Sequence, residues 1–204
     1  MKLIEGQENW KIHPPNEIFY IESIRIAAES AINSWEEINA IVSNKEKIER
    51  LGLATIDLSE IIINQAGIIS RYFYPSLNIR KSDKNKIHIL RGEKLKEYYG
   101  ITDSNILKNR TFRNYIEHFD ENLDEFLNNS IAGNIIPKTI FIESSEIDEI
   151  TFVFKAYVLT EFKLISLNKQ IELIPLMEEI YRIQNTCVDF SQNGGRLEKL
   201  KLKI

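Results

Sequence analysis

The sequence predicts a mainly α-helical bundle that carries a small antiparallel β element near its C-terminus. Apolar residues recur every three or four positions through most of the first 128 residues, as in amphipathic helices. After Gly133 that period gives way to β-branched and aromatic residues with partial alternation, which is typical of strands. The chain has 204 residues and no internal repeat or low-complexity segment, so we expect a single domain over residues 1–204.

The first two helices are long. One is predicted over about residues 17–42, where isoleucines and alanines form one continuous apolar face behind two prolines that suit a first helical turn. The pattern breaks at residues 43–44, and a second helix is predicted over about residues 45–73, ended by Pro75. The polar, basic stretch that follows is expected to be an exposed connection.

Two further helices complete the first part of the chain. A short one is predicted over about residues 88–99, with Gly100 as its C-cap. The next is predicted over about residues 105–128, where phenylalanines and leucines make a narrow, regular stripe. Gly133 then ends the helical part.

The C-terminal part mixes both periods. Two or three strands are predicted over about residues 139–167, forming a small antiparallel sheet or hairpin packed on the helices. Helical spacing returns over about residues 172–190, and glycines end that helix. Residues 196–204 alternate basic and apolar side chains, which fits either a final strand or a disordered end.

Composition excludes several classes of protein. The single cysteine, Cys187, excludes an internal disulfide and fits a reducing cytoplasm, where we expect the protein to be found. No apolar run reaches the roughly 18–20 residues of a membrane span, and the N-terminus does not read as a signal peptide, so no membrane partner is expected. A glycine-rich phosphate loop, a Gly-x-Ser-x-Gly motif and closely spaced histidines are all absent, so we expect neither a metal nor a cofactor.

Charge is unevenly distributed. The net charge is −4, yet residues 80–113 hold ten Lys or Arg and four Asp or Glu. This block is either a solvated surface or a positive field beside a phosphate site. In the second case six of its residues are the candidates for contact with a nucleic acid: Lys84, Lys86, Arg91, Lys94, Lys108 and Arg110. Arg91 serves equally well as an ion-pairing residue between helices. For the tyrosines that flank the block, core packing is favoured over base stacking.

Polar residues of the fourth predicted helix form a distinct arrangement. On a helical wheel, Arg113 and His118 share one polar face but lie about 140° apart. Asn114 lies one turn before His118 and is placed to orient its imidazole. One straight helix does not easily bring Arg113 and His118 to a single phosphate. A second copy related by a twofold axis closes that gap, which favours a homodimer with a shared cleft.

Arg113-Asn114-x-x-x-His118 on the last long helix of a small bundle resembles the HEPN superfamily, whose motif is Arg, four to six residues, then His, with a polar residue favoured after the Arg. The segments FRNYIEHFDENLDEF, ISRYFYP and HILRGEKL also resemble uncharacterised bacterial HEPN-type proteins, over roughly residues 17–130. The resemblance implies a HEPN-like antiparallel helical bundle. It also implies a metal-independent endoribonuclease, a toxin or phage-defence effector with an antitoxin or other partner protein, or a relative that keeps the fold without the activity.

The chemistry of these residue types suits RNA cleavage. Histidine changes protonation near neutral pH, so His118 is expected to move the proton of a ribose 2′-OH or of the leaving oxygen. Arg113 is expected to stabilise the phosphate as it gains charge, with Asn114 and Glu117 in supporting positions. The products would be a 2′,3′-cyclic phosphate and a 5′-hydroxyl. DNA lacks the 2′-OH and would not react.

A different interpretation stays open for the same helix. His118 also fits a structural partner of Glu117, Asp120 or Glu121, and the acidic residues around it repel phosphates or hold Arg113 in a salt bridge. The alternative function is therefore a non-catalytic HEPN-like module that binds a protein or a nucleotide and dimerises through this helix.

Overall fold

The computed structural model describes residues 10–75, 87–109, 118–128, 133–167 and 169–197. In these ranges the chain is mainly helical with one four-stranded mixed sheet. The helices are α1 (Pro14–Val42), α2 (Lys45–Leu51), α3 (Ala54–Phe73), α4 (Ile87–Tyr99), α5 (Phe119–Asn128) and α6 (Ile174–Gln192). The strands are β1 (Asn134–Phe141), β2 (Thr151–Val158), β3 (Lys163–Ser166) and β4 (Lys169–Glu172).

Helix α1 is the central element of the core. Its first position is Pro14, three residues before the predicted start, because proline at the first helical position has no N–H to leave unpaired. Its buried face combines isoleucines with the small residues Ala27, Ala28 and Ala31, which let neighbouring helices approach closely. Helices α3 and α6 pack against this face. The predicted apolar face of this helix is therefore confirmed.

The single helix predicted over residues 45–73 is wrong. The segment forms α2 and α3, which meet at an angle of 81°. Gly52 lies at the bend, where a Cβ atom would come within 2.7 Å of the Ile140 side chain on β1. The close approach of the sheet to this glycine explains why the helix turns here rather than continuing. Asn44 caps α2, its side chain accepting a hydrogen bond from the Lys47 backbone N–H at 3.1 Å.

Helix α4 follows the prediction closely and ends at Gly100, whose φ of 62° is the left-handed conformation that glycine adopts without strain. The continuous helix predicted over residues 105–128 is wrong at its start. A 3₁₀ turn, Ile106–Lys108, occupies that position, and Asn109 is extended. Leu107 buries its side chain here, and the 3₁₀ turn is capped by Asn105. Residues 110–117 lie outside the described residues, and α5 begins at Phe119.

The sheet has the order β1-β2-β3-β4. Strands β2, β3 and β4 pair antiparallel, as predicted, but β1 pairs with β2 in parallel, so the expectation of an antiparallel element is wrong at that edge. In the described ranges the sheet has four strands and not the predicted two or three, because β4 was not predicted, and the strands span residues 134–172 and not 139–167. The connection between β1 and β2 returns the chain along the length of β1, through a 3₁₀ turn at Ser144–Glu146.

The segment after α6 docks on the start of α1. Gly194 and Gly195 both have positive φ, which reverses the chain at the end of the helix. Leu197 is then buried in the main core, and Arg196 forms an ion pair with the buried Glu17. Only these two residues of the predicted alternating tail are described, and neither is in a strand. Residues 198–204 lie outside the described residues.

Within the described ranges, none of the helices has by itself both the length and the apolar character that crossing a membrane requires. Helices α2 and α3 reach them only when taken together across their bend.

Candidate functional site

The structure describes some of the predicted site residues and not others. Arg113, Asn114 and Glu117 lie outside the described residues, as do Lys84, Lys86 and Arg110. Those that are described fall in three places along the chain. His118 precedes α5, whereas Arg91 and Lys94 belong to α4, and Lys108 ends the 3₁₀ turn between them.

His118 is the residue immediately before α5, and about half of its side chain is exposed. Its Nδ1 is 3.4 Å from Oε2 of Glu121, one helical turn further along, so one ring nitrogen is directed towards a carboxylate. Glu121 is one of the three carboxylate partners that the sequence offered. Asp120 and Glu121 also lie where the helix dipole favours negative charge. A carboxylate on one nitrogen orients an imidazole and leaves the other nitrogen for an external group.

Helix α5 is attached to the sheet by aromatic pairs. The ring of Phe119 meets Phe154 edge to face at a centroid distance of 5.8 Å, and Phe126 meets Phe152 at 6.2 Å. No residue of α5 is fully buried, and Leu127 is 57% exposed. The described part of the predicted apolar stripe therefore packs on β2 through Phe119 and Phe126, and Leu127 stays uncovered.

Two lysines of the sheet reach the start of α5, and sequence reasoning missed both. Lys155 Nζ lies 4.9 Å from the ring centre of Phe119 and 2.6 Å from Glu60 Oε1. Lys169 Nζ donates to Oδ1 of Asn122 at 2.7 Å, and the Asn122 amide donates to the backbone carbonyl of His118. The charge of Lys155 is balanced by Glu60, whereas Lys169 bonds to a neutral amide on α5. The pairing of strands with a distant helix is what brings them there, and no local pattern in the sequence signals it.

Arg91 occupies a different environment. Its guanidinium carbon is 5.8 Å from the ring centre of Tyr20 on α1 and 5.3 Å from that of Tyr72 on α3, within the range of cation–π attraction. The two rings stand at 74° to one another, so the guanidinium lies in the corner between them. One terminal nitrogen donates to the carbonyl oxygen of Arg71 at 3.0 Å, in the last turn of α3.

The charge of Arg91 has no carboxylate partner among the described residues. Burial lowers the pKa of this guanidinium below its ordinary value, and the two tyrosines act in the opposite direction. Its Nε is buried without a hydrogen-bond acceptor in the described part of the chain. An unpaired buried donor costs about 1–3 kcal/mol, so the position is not optimised for stability alone. Within the described residues, Arg91 therefore joins α4 to α3 through a backbone carbonyl and not through an ion pair.

The other two described candidates for contact with a nucleic acid are paired. Lys94 Nζ lies 2.9 Å from Glu97, and Lys108 Nζ lies 3.3 Å from Asp103. Exposed pairs of this kind contribute about 0–1 kcal/mol and dissociate readily. They leave Arg91 as the member of this trio whose charge is not already balanced by an acidic side chain in the described ranges.

A groove between α1 and α6 has a volume of about 470 Å³. It is lined by Glu22, Arg25, Val188, Ser191 and Gln192. Arg25 is held by both Glu22 and Glu29, so the charge of the groove is balanced internally. In the described ranges, no group of three or more His, Cys, Asp or Glu side chains is arranged to hold a metal ion.

No family model, curated protein or solved structure matches this chain. Its function is therefore inferred from its own residues. In the described part of the chain, these are the half-exposed His118 with its carboxylate partner, and Arg91 between two tyrosines.

Proposed function

We propose that this chain is a metal-independent endoribonuclease of HEPN type, which cleaves RNA by attack of the ribose 2′-OH on the adjacent phosphate. The observation that carries the proposal is the geometry of His118: a half-exposed imidazole whose Nδ1 is directed towards Glu121 at 3.4 Å. An imidazole oriented in this way is suited to taking or delivering a proton at its other nitrogen.

In this proposal each residue of the motif has a role. His118 transfers the proton of the 2′-OH or of the leaving oxygen. Arg113 donates hydrogen bonds to the phosphate as the negative charge of the phosphate increases. Asn114 and Glu117 support Arg113 and His118. The products are a 2′,3′-cyclic phosphate and a 5′-hydroxyl. The groups that act on the RNA in this proposal are all side chains of the protein, so the proposed reaction requires no metal.

The electrostatics near His118 bear on how RNA would approach. Asp120, Glu121, Asp124 and Glu125 are exposed and repel phosphates. Lys169 meets α5 from the sheet with a neutral amide as its partner and offsets part of that repulsion, whereas the charge of its neighbour Lys155 is used by Glu60. RNA would therefore reach His118 from the side of Lys169 rather than along the acidic face.

The proposal includes a homodimer with a shared cleft. The angle of about 140° between Arg113 and His118 on a helical wheel separates the two on one helix, and a twofold partner brings one residue of each kind together. The uncovered apolar surface of α5, including the exposed Leu127, is consistent with a second copy at this helix. A cytoplasmic toxin or phage-defence effector, restrained by an antitoxin or other partner protein, is the biological role we propose.

The experiment is an RNA-cleavage assay in EDTA with the wild type, His118→Ala and Arg113→Ala. His13→Ala is the matched control, because His13 is an exposed histidine at the start of α1 whose side chain caps no backbone group. We expect cleavage by the wild type and the control only, with cyclic-phosphate ends, and no cleavage of an all-deoxy strand. Cleavage by a folded His118→Ala protein would refute the role of His118, and its absence from folded wild type would refute the function.

A specific observation favours the alternative, a non-catalytic HEPN-like module that binds a protein or a nucleotide. Four exposed carboxylates on α5 are better suited to a basic protein surface than to RNA. In that case folded wild type does not cleave RNA, and Leu127→Asp, but not His118→Ala, converts the dimer to a monomer. Light scattering measures that change in molar mass, which both functions predict, so the absence of cleavage by a folded dimer is the result that favours the alternative.

A further inference from the structure

We infer that Arg91, in the corner formed by Tyr20 and Tyr72, binds a phosphate of single-stranded RNA. This site is separate from the proposed cleavage motif at residues 113–118. The inference deepens the proposed function and rests on it for the identity of the ligand. The contacts of Arg91 carry it.

The guanidinium of Arg91 has N–H donors that its contacts within the described residues do not use. A guanidinium has five N–H groups in a fixed plane. One of them is used by the carbonyl oxygen of Arg71, and the buried Nε–H has no acceptor among the described residues. The side chain is only partly exposed, so the outer terminal nitrogens are the ones that an external acceptor can reach. Two adjacent N–H groups of this kind match the oxygens of a phosphate.

Arg91 carries a positive charge that no acidic side chain balances within the described residues. Arginine keeps its proton at any physiological pH, so this half-buried group is always a cation. The tyrosine rings attract it through their π faces, but they carry no negative charge. An external anion is therefore the group that completes the arrangement.

The surroundings of Arg91 favour one class of anion as its ligand. Arg91 is the fifth residue of α4, a helix of 13 residues, and in sequence it falls within the block of ten Lys or Arg. This basic block favours a polyanion over a single carboxylate. Tyr20 and Tyr72 present their ring faces to the guanidinium, so they position Arg91 for a phosphate and do not serve as a stack for bases. Together these features favour an RNA phosphate over an acidic peptide.

A purely structural role predicts different behaviour. If Arg91 only joins α3 to α4 through the Arg71 carbonyl, its replacement changes the melting temperature and leaves the binding of RNA intact. If it binds a phosphate, its replacement also changes the salt dependence of binding, because each phosphate contact releases counterions. The salt dependence therefore discriminates between the two roles.

The experiment measures the binding of a fluorescent 2′-O-methyl oligouridylate to the full chain in EDTA over a range of salt concentrations. This probe has no 2′-OH to attack, so binding is read without cleavage. Arg91→Gln should weaken binding about fivefold to tenfold and reduce the slope of log K against log salt by about 0.7. Arg50→Gln is the matched control, because Arg50 is 76% exposed and its ion pair, to Glu46, lies within α2.

Unchanged affinity and slope in folded Arg91→Gln, or the same small change as in Arg50→Gln, would overturn the inference. If Arg91→Gln does not fold, Arg91→Lys keeps the charge but not the planar donors, and a folded Arg91→Lys protein should bind with reduced affinity. Wild-type affinity in that variant counts against the inference. In wild type, inorganic pyrophosphate should displace the probe, and displacement by oligoglutamate alone would assign the site to an acidic protein instead.

These results are separable from the test of cleavage. Wild type that binds the probe through Arg91 but leaves RNA intact keeps the inference and refutes the ribonuclease. Wild type that cleaves RNA while Arg91→Gln binds normally keeps the ribonuclease and refutes the inference.

Discussion

Glu17 and Arg196, which are 179 positions apart, form an ion pair in which the arginine Nε lies 2.7 Å from Oε2 of the glutamate. The same oxygen accepts the backbone N–H of Leu197 at 3.0 Å. The glutamate side chain is 5% exposed and the arginine side chain 45% exposed. The pair therefore joins the first turn of α1 to the segment that follows α6, with its negative partner inside the protein.

Replacing Glu17 is expected to destabilise the protein. Glu17→Ala leaves the buried N–H of Leu197 without an acceptor, and we expect the free energy of unfolding to fall by about 1–3 kcal/mol in urea denaturation. Glu17→Gln keeps an acceptor oxygen and should cost less. Glu37→Ala, at an exposed position of the same helix, is the control and should stay within about 0.5 kcal/mol of wild type. Equal stability of Glu17→Ala and Glu37→Ala would contradict the prediction.

Gly194 and Gly195 are adjacent, both have positive φ, and they should respond differently to alanine. A Cβ on Gly194 has no neighbour within 4 Å, so Gly194→Ala pays only the left-handed backbone cost, about 1–2 kcal/mol. A Cβ on Gly195 would lie 2.5 Å from Cδ1 of Ile18, so Gly195→Ala should cost more. Urea denaturation measures both.

Ile18→Val removes the obstructing Cδ1 atom and provides the control for this comparison. In the Ile18→Val background, the excess cost of Gly195→Ala over Gly194→Ala should shrink, although Cγ1 and Cβ of residue 18 stay at 3.2 and 3.3 Å. If that excess persists in full, the contact with Cδ1 of Ile18 is not its cause.

Cys187 should resist modification in the folded protein. Burial raises the pKa of its thiol to about 11, although the hydroxyl of Tyr99, 3.3 Å from the sulfur, acts in the opposite direction. The thiolate is the reactive form, so reaction with an aromatic disulfide reagent at pH 8 should be slow for native protein and fast in urea. The chain has one cysteine, so full reaction gives one equivalent. Fast reaction of native protein would show that the contact of α6 with the core opens readily.

Stability should depend on pH through Glu161. The Lys163 ammonium, and then the Ser144 hydrogen bond, lower the pKa of this carboxyl from 4.5 to about 2. The folded state thus binds the proton less tightly than the unfolded state, so the contribution is complete above about pH 4.5 and is lost as the pH falls towards 2. Glu161→Gln should lower the melting temperature at pH 7 and approach wild type at the acidic end. A difference that is the same at both pH values would contradict this origin.

The elements that the sequence predicted well are those in which the pattern and the burial have the same cause. The helix expected over residues 172–190 is α6, and its periodic residues Leu176, Ile180, Ile183 and Cys187 are all buried. Local periodicity is sufficient there, because one face of the helix packs on α1 along its whole length. Gly100 likewise has the left-handed conformation that its place after a helix predicted.

The features that sequence reasoning missed depend on residues far apart in the chain. The bend at Gly52 depends on Ile140, and the environment of Arg91 depends on Tyr20, 71 positions earlier. Such contacts are determined by how the elements pack, which periodicity does not encode. The pairing of Arg113 with His118 stays a prediction, since Arg113 lies outside the described residues.

The parallel pairing of β1 with β2 has a consequence for how the length of this region can vary. Nine residues, 142–150, return the chain from Phe141, opposite Val158, to Thr151, opposite Asn134. The return covers about 23 Å along the strand, whereas ten steps of extended chain reach roughly 35 Å. The crossover thus has spare length equal to about three residues, fewer once its 3₁₀ turn is kept.

Shortening and lengthening this crossover are therefore unequal changes. Removing three or four residues would force β1 out of register or detach it, whereas doubling the length of the connection costs only about 0.6 kcal/mol of closure entropy. We therefore expect an inserted tag, epitope or fluorophore site to be tolerated in this crossover outside its 3₁₀ turn, and a deletion of the same size to remove an edge of the sheet.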